Sequence, residues 1–217
     1  MHTLRMNLHL FEKSPRAAVK GSSLFLGMLR RGLTKTSLTR EGGMVCQLLN
    51  HILMTYNPHT FTSIVINYNT TSTPHLDTKN TGPSTILALG GFSHDGGKLQ
   101  LWHDGNIQNP PTEVDIRGSL FVFPGSQIYH ANSSYSGERF SIIWFTYKAA
   151  LTRKYQRHEI DTLMDLNFNL PQDPHQKHLI PWPLIFHTSQ VISSPRCPWR
   201  QDIIDRPVAD ANLSTLD

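Results

Sequence analysis

The sequence predicts a mainly β protein in which two short helices precede an antiparallel sandwich or barrel. From Phe61 to Lys148, short segments rich in β-branched and aromatic residues are separated by Gly, Pro, Asn and Asp, which is typical of strands joined by turns. No segment of helical length interrupts them, so consecutive strands are expected to pair antiparallel. Before Phe61, by contrast, apolar residues recur at helical spacing.

Both predicted helices precede the strands. Residues 23–32 carry apolar side chains at positions 24, 25, 28 and 29 and end at Gly32, a common terminator. Residues 44–56 carry a clearer apolar stripe, and Pro58 follows it. We expect both helices to cover one face of the sheet. Cys46 lies beside the second stripe and is interpreted as a buried small residue rather than a reactive thiol.

Six strands are predicted after the helices. In chain order they are TSIVINYN, STILALGG, KLQLWHD, SLFVFPG, QIYHA and RFSIIWFTYK. Residues 150–168 are compatible with a further helix, whereas residues 171–207 contain seven of the fourteen prolines and cannot form one regular element. We expect this tail to be extended chain packed on the core or partly disordered.

Length and composition indicate one domain with additions at both ends, because a core in a chain of 217 residues can bury most of its apolar surface. We divide the chain into a basic N-terminal segment with a short helix (1–43), a core with its supporting helix (44–150) and a C-terminal helix with a proline-rich tail (151–217). The two cysteines have no CxxC spacing, which argues against a disulfide framework and favours an intracellular location.

Charge and hydropathy limit the classes of binding partner that the sequence predicts. No apolar run approaches the length of a membrane span, and the first twenty residues lack the features of a secretory signal, so we expect a soluble protein with no membrane partner. The net charge is +4, and basic residues are frequent from Lys13 to Arg40. This bias is compatible with a nucleic acid partner, although scattered charge is more often a solvated surface. We expect a monomer.

A candidate metal site starts in the segment TPHLDTKN. Residues two apart on a strand share a face, so His75 and Asp77 can reach one ion together. The spacing alone is weak support, because the chain has twelve histidines and HxD is common by chance. His94 and His103 are each followed directly by Asp, but adjacent side chains diverge on an extended backbone, so these pairs are not expected to bind metal.

Candidates for a third metal ligand and for a co-substrate partner lie in the segment GSLFVFPGSQIYHANSSYSGERFSIIWF. With His130 as a third ligand, two imidazoles and one carboxylate would leave three positions of an iron ion open, which is the facial triad of non-haem iron(II) oxygenases. A 2-keto acid chelating that iron leaves its far carboxylate in need of a bidentate, charge-assisted partner, which Arg139 with Ser141 can supply. The apolar residues 143 and 145 on the same strand face favour an inward Arg139, and the alternative is a surface residue on an edge strand.

These motifs resemble those of the 2-oxoglutarate- and Fe(II)-dependent dioxygenases, in which HxD, a distal histidine and RxS occur in this order. The similarity covers residues 61 to 147. It implies a double-stranded β-helix core, jelly-roll or cupin-like, in an α+β chain that is mainly β. It also implies that His75, Asp77 and His130 are the catalytic metal ligands, that Arg139 and Ser141 bind 2-oxoglutarate, and that dioxygen is consumed, with ascorbate as a stimulant.

Within that superfamily, HxDxxN followed by TGPS is most similar to the oxygenase domain of the ten-eleven translocation and J-binding (TET/JBP) proteins. Those proteins oxidise the 5-methyl group of pyrimidines in DNA. The resemblance implies methylated DNA as partner, 5-methylcytosine as substrate before thymine, 5-hydroxymethylcytosine as first product, and a nuclear location. Asn80 is our candidate for contacting a flipped base, and the alternative is a polar turn residue.

Asn67 lies on the strand before the metal motif. Its amide could bind the co-substrate or orient a ligand histidine, or it could be a solvent-facing polar residue of a half-buried strand.

Three other functions stay open: an AlkB-like demethylase of N-alkylated bases, a protein hydroxylase, and a non-catalytic β-barrel that binds nucleic acid and derives from a mobile element. Iron-dependent formation of succinate would separate the enzymes from the binding module.

Overall fold

Two antiparallel sheets face each other in the computed structural model, which describes residues 1–57, 59–152 and 155–171 and the backbone of 190–191. The strands are β1 (Glu12–Lys13), β2 (Val19–Leu29), β3 (Gly32–Leu33), β4 (Ser63–Ser72), β5 (Asn80–Leu89), β6 (Leu99–Trp102), β7 (Thr112–Val114), β8 (Phe121–Phe123), β9 (Tyr129–Asn132), β10 (Phe140–Tyr147) and β11 (Gln190–Val191). The α-helices are α1 (His2–Met6), α2 (Arg40–Tyr56), α3 (Lys148–Thr152) and α4 (Arg157–Asp165), and short 3-10 helices span Leu8–Leu10 and Lys35–Leu38.

The larger sheet has the strand order β1-β2-β4-β10-β5-β8-β11, with β3 paired to the end of β2, and the smaller sheet has the order β7-β6-β9. Every pairing between these strands is antiparallel. Each of the six predicted segments contains a strand. The predicted fold class, a mainly β jelly-roll or cupin-like core with helices, is confirmed.

The predicted helix at residues 23–32 is wrong, because most of this segment is strand β2. The strand is covered on both faces: Leu24 and Leu26 pack in the core under α2, whereas Phe25 and Leu29 pack against the core between the sheets. A strand that is apolar on both faces shows no alternation, and a short apolar run of this kind fits helical spacing equally well. The division of the chain at residues 43 and 150 stays a prediction.

The helix predicted at residues 44–56 is present as α2. The Thr39 side chain caps it by accepting a hydrogen bond from the Gly42 N–H at 3.0 Å. Its buried stripe includes Val45, Leu49 and Leu53, which pack on one face of the larger sheet. Cys46 is fully buried, and burial raises the pKa of its thiol to about 12, so its interpretation as a small core residue is confirmed.

The segment after β10 is helical, as predicted, but it forms two helices, α3 and α4. Residues 172–189 and 192–217 of the proline-rich tail lie outside the described residues, and so does the expectation about their packing. Over the part of the chain that is described, no helix combines the length and apolar character needed to cross a membrane.

Strand β10 separates the two apolar layers of the protein. Phe140, Ile142 and Trp144 pack with the helices on one side of the larger sheet. Ile143 and Phe145 face the other side, where residues of both sheets form a second core. The alternation of a central strand therefore presents every second side chain to the space between the sheets.

Replacing Leu53 by alanine is expected to lower the free energy of unfolding by about 2–5 kcal/mol, because the side chain is fully buried between α2 and the sheet. Leu48→Ala on the same helix is the matched control. Leu48 is 42% exposed, and its removal should change stability by no more than about 0.5 kcal/mol. Urea unfolding followed by circular dichroism measures both. Equal losses in the two variants would contradict this packing.

Candidate metal centre

A reciprocal pair of backbone hydrogen bonds joins His75 to His130. The His75 N–H donates to the His130 carbonyl at 3.1 Å, and the His130 N–H donates to the His75 carbonyl at 3.0 Å. His75 lies in the connection from β4 to β5, whereas His130 belongs to β9 of the smaller sheet. The imidazole ring centroids are 4.4 Å apart. Residues distant in sequence are thus held side by side by main-chain bonds.

The Asp77 carboxylate completes the group. The Asp77 N–H donates to the Gly125 carbonyl at 2.9 Å, in the turn that precedes β9. Its two carboxylate oxygens lie 3.9 Å from Nε2 of His75 and 3.6 Å from Nε2 of His130. One ligand atom from each of the three residues lies within 4.8 Å of the other two. The structure brings the three predicted ligands together, and their binding of iron stays a prediction.

Hydrogen bonds orient both imidazoles with Nε2 toward Asp77. Nδ1 of His75 lies 2.7 Å from the Thr73 carbonyl, and Nδ1 of His130 lies 2.9 Å from the Ile128 carbonyl. Because a carbonyl only accepts, each Nδ1 carries the proton and donates it, which leaves the Nε2 lone pairs free for a metal.

The charge states also suit metal binding. Burial lowers the pKa of His75, and the neighbouring His130 lowers it further, so the neutral imidazole is favoured. Burial raises the pKa of Asp77, but the neighbouring His130, His75 and Arg16 side chains outweigh burial, so this pKa lies below its usual value. A neutral imidazole at position 75 and an ionised carboxylate at position 77 are the forms that bind a divalent cation.

Arg139 lies beside this group at a cavity of about 900 Å³ between the sheets. Arg139 as a whole is 2% exposed, and its guanidinium donates from Nη2 to the Gly97 carbonyl at 2.9 Å. Among the described residues, its buried Nε has no hydrogen-bond partner and no carboxylate forms an ion pair with the guanidinium. Burial of a cation without an anion is costly. The site therefore fits a ligand that brings its own negative charge, and Ser141, two residues along the same strand, adds a hydroxyl.

Asn67 and Asn80 both line the cavity. The Asn67 amide is 7% exposed and donates from Nδ2 to Oγ of Ser141 at 3.3 Å, so the solvent-facing interpretation is wrong. Asn80 begins β5, and its N–H donates to the Asp77 carbonyl at 2.8 Å. It lines the cavity next to the loop that carries His75 and Asp77, which we call the ligand loop. Contact with a substrate base stays a prediction.

Arg16 is a residue of the cavity that the sequence did not predict. It precedes β2, lines the cavity and donates from Nη2 to Oδ1 of Asn67 at 2.5 Å. Because residues 23–32 were predicted as a helix, nothing in the sequence placed residue 16 beside the strand that carries Asn67. His94 and His103 are exposed and lie outside the cavity, as expected.

The cavity lining is basic. Besides Arg139 it includes Arg16, Arg30, Arg31 and Lys79, and in the described structure Asp77 is the only acidic lining residue. Arg30 and Arg31 are exposed at the turn between β2 and β3, and Lys79 is exposed after the ligand loop. We call Arg30, Arg31 and Lys79 the basic rim.

No protein-family model matches the chain, and no curated protein sequence matches it. Several solved structures do. "NgTET1 in complex with 5mC DNA" is 18% identical, with a TM-score of 0.45, covering 70% of this chain and 70% of that chain. A 2OG-Fe(II) oxygenase-family oxidoreductase from Burkholderia pseudomallei is 15% identical, with a TM-score of 0.45 and coverage of 67% and 77%. A Trichoplax adhaerens prolyl hydroxylase bound to a peptide fragment of hypoxia inducible factor is 15% identical, with a TM-score of 0.44 and coverage of 70% and 79%. At these low similarities, the function proposed below rests on the residues of this chain.

Asp77→Ala is expected to abolish stoichiometric binding of Fe(II), because it removes the one carboxylate that the described residues place at the centre. Loss of a residue that merely supports a ligand already costs about 10–100-fold in metal affinity, so loss of a ligand should cost more. Anaerobic calorimetry and elemental analysis measure the affinity and the stoichiometry. His103→Ala, which removes an exposed histidine, is the control and should bind one ion per chain. Unchanged iron content in Asp77→Ala would contradict the assignment.

Proposed function

We propose that the protein is an Fe(II)- and 2-oxoglutarate-dependent dioxygenase. The observation that carries the proposal is the combination, at one cavity, of the His75, Asp77 and His130 group with the buried guanidinium of Arg139, which has no carboxylate partner among the described residues. A metal ion chelated by 2-oxoglutarate would fit the three ligand residues and Arg139 together. The keto acid would occupy open positions on the ion, and its second carboxylate would pair with the Arg139 guanidinium.

In this proposal each residue has one task. His75, Asp77 and His130 would hold the ion on one side and leave the cavity side open. Arg139 and Ser141 would hold the far carboxylate of 2-oxoglutarate. With dioxygen, iron and 2-oxoglutarate held by these residues would provide the oxidant for a substrate C–H bond.

The apolar wall of the cavity has a supporting role. Ile143 and Phe145 of β10, with Val65 of β4 and Phe123 of β8, line the space next to the polar residues and belong to the core between the sheets. These side chains exclude water around the ligand residues, which strengthens the attraction between Arg139 and a carboxylate.

For the substrate we propose a 5-methylpyrimidine in DNA, 5-methylcytosine before thymine, with 5-hydroxymethylcytosine as first product. The basic rim and the near absence of acidic lining residues support it, because a polyanion is attracted to such an opening. A methyl group inside a duplex cannot reach the iron, so the base must be flipped out at a cost of a few kcal/mol. Asn80 would contact the flipped base. A nuclear location follows from this substrate.

The decisive experiment incubates the protein with Fe(II), 2-oxoglutarate, ascorbate and methylated duplex DNA, then quantifies nucleosides by mass spectrometry. We expect 5-hydroxymethylcytosine and succinate, with neither formed by Asp77→Ala. Demethylation of an N-alkylated base or hydroxylation of a peptide, with 5-methylcytosine and thymine unchanged, would keep the oxygenase and overturn the DNA substrate. Absence of succinate with every substrate would favour a non-catalytic binding module.

Arg139→Ala is expected to raise the KM for 2-oxoglutarate, because the far carboxylate loses its charged partner. The binding free energy of 2-oxoglutarate should weaken by about 2–5 kcal/mol, as found when one partner of a buried charge pair is truncated. Iron affinity, measured in the same preparation, should be nearly unchanged. Arg139→Lys keeps the charge without the bidentate fork and should fall between wild type and Arg139→Ala. A KM unaffected by Arg139→Ala would contradict this role.

DNA binding should depend steeply on salt, and on the basic rim in particular. The double variant Arg30→Glu and Arg31→Glu should weaken binding to duplex DNA and reduce the slope of log Kd against log salt by about 2, one for each lost phosphate contact. Lys20→Glu with Lys35→Glu is the matched control, since it changes the net charge equally at exposed residues outside the cavity lining. Fluorescence anisotropy measures both. Equal effects would mean that general charge, not the rim, attracts DNA.

A further inference from the structure

We propose that Arg16 is a positioning residue for the co-substrate: acting through Asn67, it fixes the direction in which Ser141 donates its hydroxyl proton. The inference rests on the proposed function, because the group that receives this proton is the far carboxylate of 2-oxoglutarate. This role is new for the N-terminal segment, whose basic residues by themselves indicate only a polyanion partner.

The register of the sheet places the three polar residues in one row. Ser23 of β2 lies directly opposite Asn67 of β4, and Asn67 lies directly opposite Ser141 of β10. All three side chains are buried. Arg16 reaches the start of this row, and its guanidinium also lies 5.6 Å from the ring centroid of Phe25. The row is therefore fixed by main-chain pairing rather than by a flexible loop.

The hydrogen bonds of the Asn67 amide have one consistent arrangement. Oδ1 accepts from Nη2 of Arg16 at 2.5 Å and from Oγ of Ser23 at 2.9 Å. Nδ2 donates to Oγ of Ser141 at 3.3 Å. A guanidinium has only donors, so it must face the amide oxygen, and the amide NH₂ must then face the serine.

This arrangement determines what Ser141 can offer to a ligand. A hydroxyl that accepts from Asn67 keeps its own proton free to donate into the cavity, where a carboxylate needs donors. With the amide reversed, the Ser141 proton would be drawn to the Asn67 oxygen, and oxygen lone pairs would face the carboxylate. Ser23 cannot fix the orientation of the Asn67 amide, because a hydroxyl donates or accepts a hydrogen bond equally well. Arg16 can fix this orientation, because a guanidinium donates hydrogen bonds and never accepts them.

The test measures the Kd of 2-oxoglutarate by anaerobic calorimetry with Fe(II)-loaded protein, so that no turnover is required. Arg16→Met and Ser141→Ala should each weaken binding about tenfold, the effect expected when one hydrogen bond to a charged group is lost. If Arg16 acts through Ser141, the double variant should be no weaker than Ser141→Ala alone. Lys20→Met, which removes an equal charge at an exposed site of β2, should bind like wild type.

Asn67→Asp gives a second measurement that separates positioning from a merely structural role. A carboxylate at position 67 still pairs with Arg16, so thermal stability should be retained, but it can only accept and would draw the Ser141 proton away from the ligand. We expect weakened 2-oxoglutarate binding at unchanged Tm, and Arg16→Lys, which preserves an obligate donor, should recover part of the affinity lost in Arg16→Met.

Multiplied losses in the double variant, or wild-type affinity in Arg16→Met or Asn67→Asp, would overturn the inference while leaving the oxygenase proposal in place. Failure of the wild-type protein to bind 2-oxoglutarate in the presence of Fe(II) would overturn the proposed function and this inference with it.

Discussion

The site depends on the reciprocal backbone pair between His75 and His130. These two main-chain hydrogen bonds join the ligand loop to the smaller sheet, and a third, from Asp77 to the Gly125 carbonyl, fixes the carboxylate. Side chains held only by flexible loops would lose conformational entropy on binding a metal, whereas here the backbone has already placed three ligand atoms within 4.8 Å of one another. The imidazole orientations follow from carbonyl acceptors two residues before each histidine.

The two faces of strand β10 contribute to different parts of the protein. One set of alternate side chains closes the core under the helices, and the other set carries Arg139, Ser141 and the apolar wall toward the metal centre. The core under the helices and the candidate site therefore use opposite faces of the same strand. Among the described residues the buried guanidinium of Arg139 has no anionic partner, an arrangement that costs stability.

Much of the candidate site was predictable, because its signals are local. The spacing of His75 and Asp77, the distal His130 and the alternation after Arg139 can all be read from short segments, and the structure brings these residues to one cavity. Strand β2 and Arg16 could not be predicted in this way. A strand covered on both faces has no periodic signature, and the partner of Arg16 lies 51 positions away in sequence.

By itself, the sequence determined the class of fold and the residues of the candidate site, His75, Asp77, His130 and Arg139, because strand alternation and motif order are properties of the local chain. Only the tertiary structure decided that the N-terminal segment enters the larger sheet, that Asn67 lies between Ser23 and Ser141, and that basic residues from distant segments surround one opening. The physical reason is register: pairing between strands far apart in sequence is set by the packing of the whole sheet, and a shift of one residue would turn each of these side chains to the opposite face.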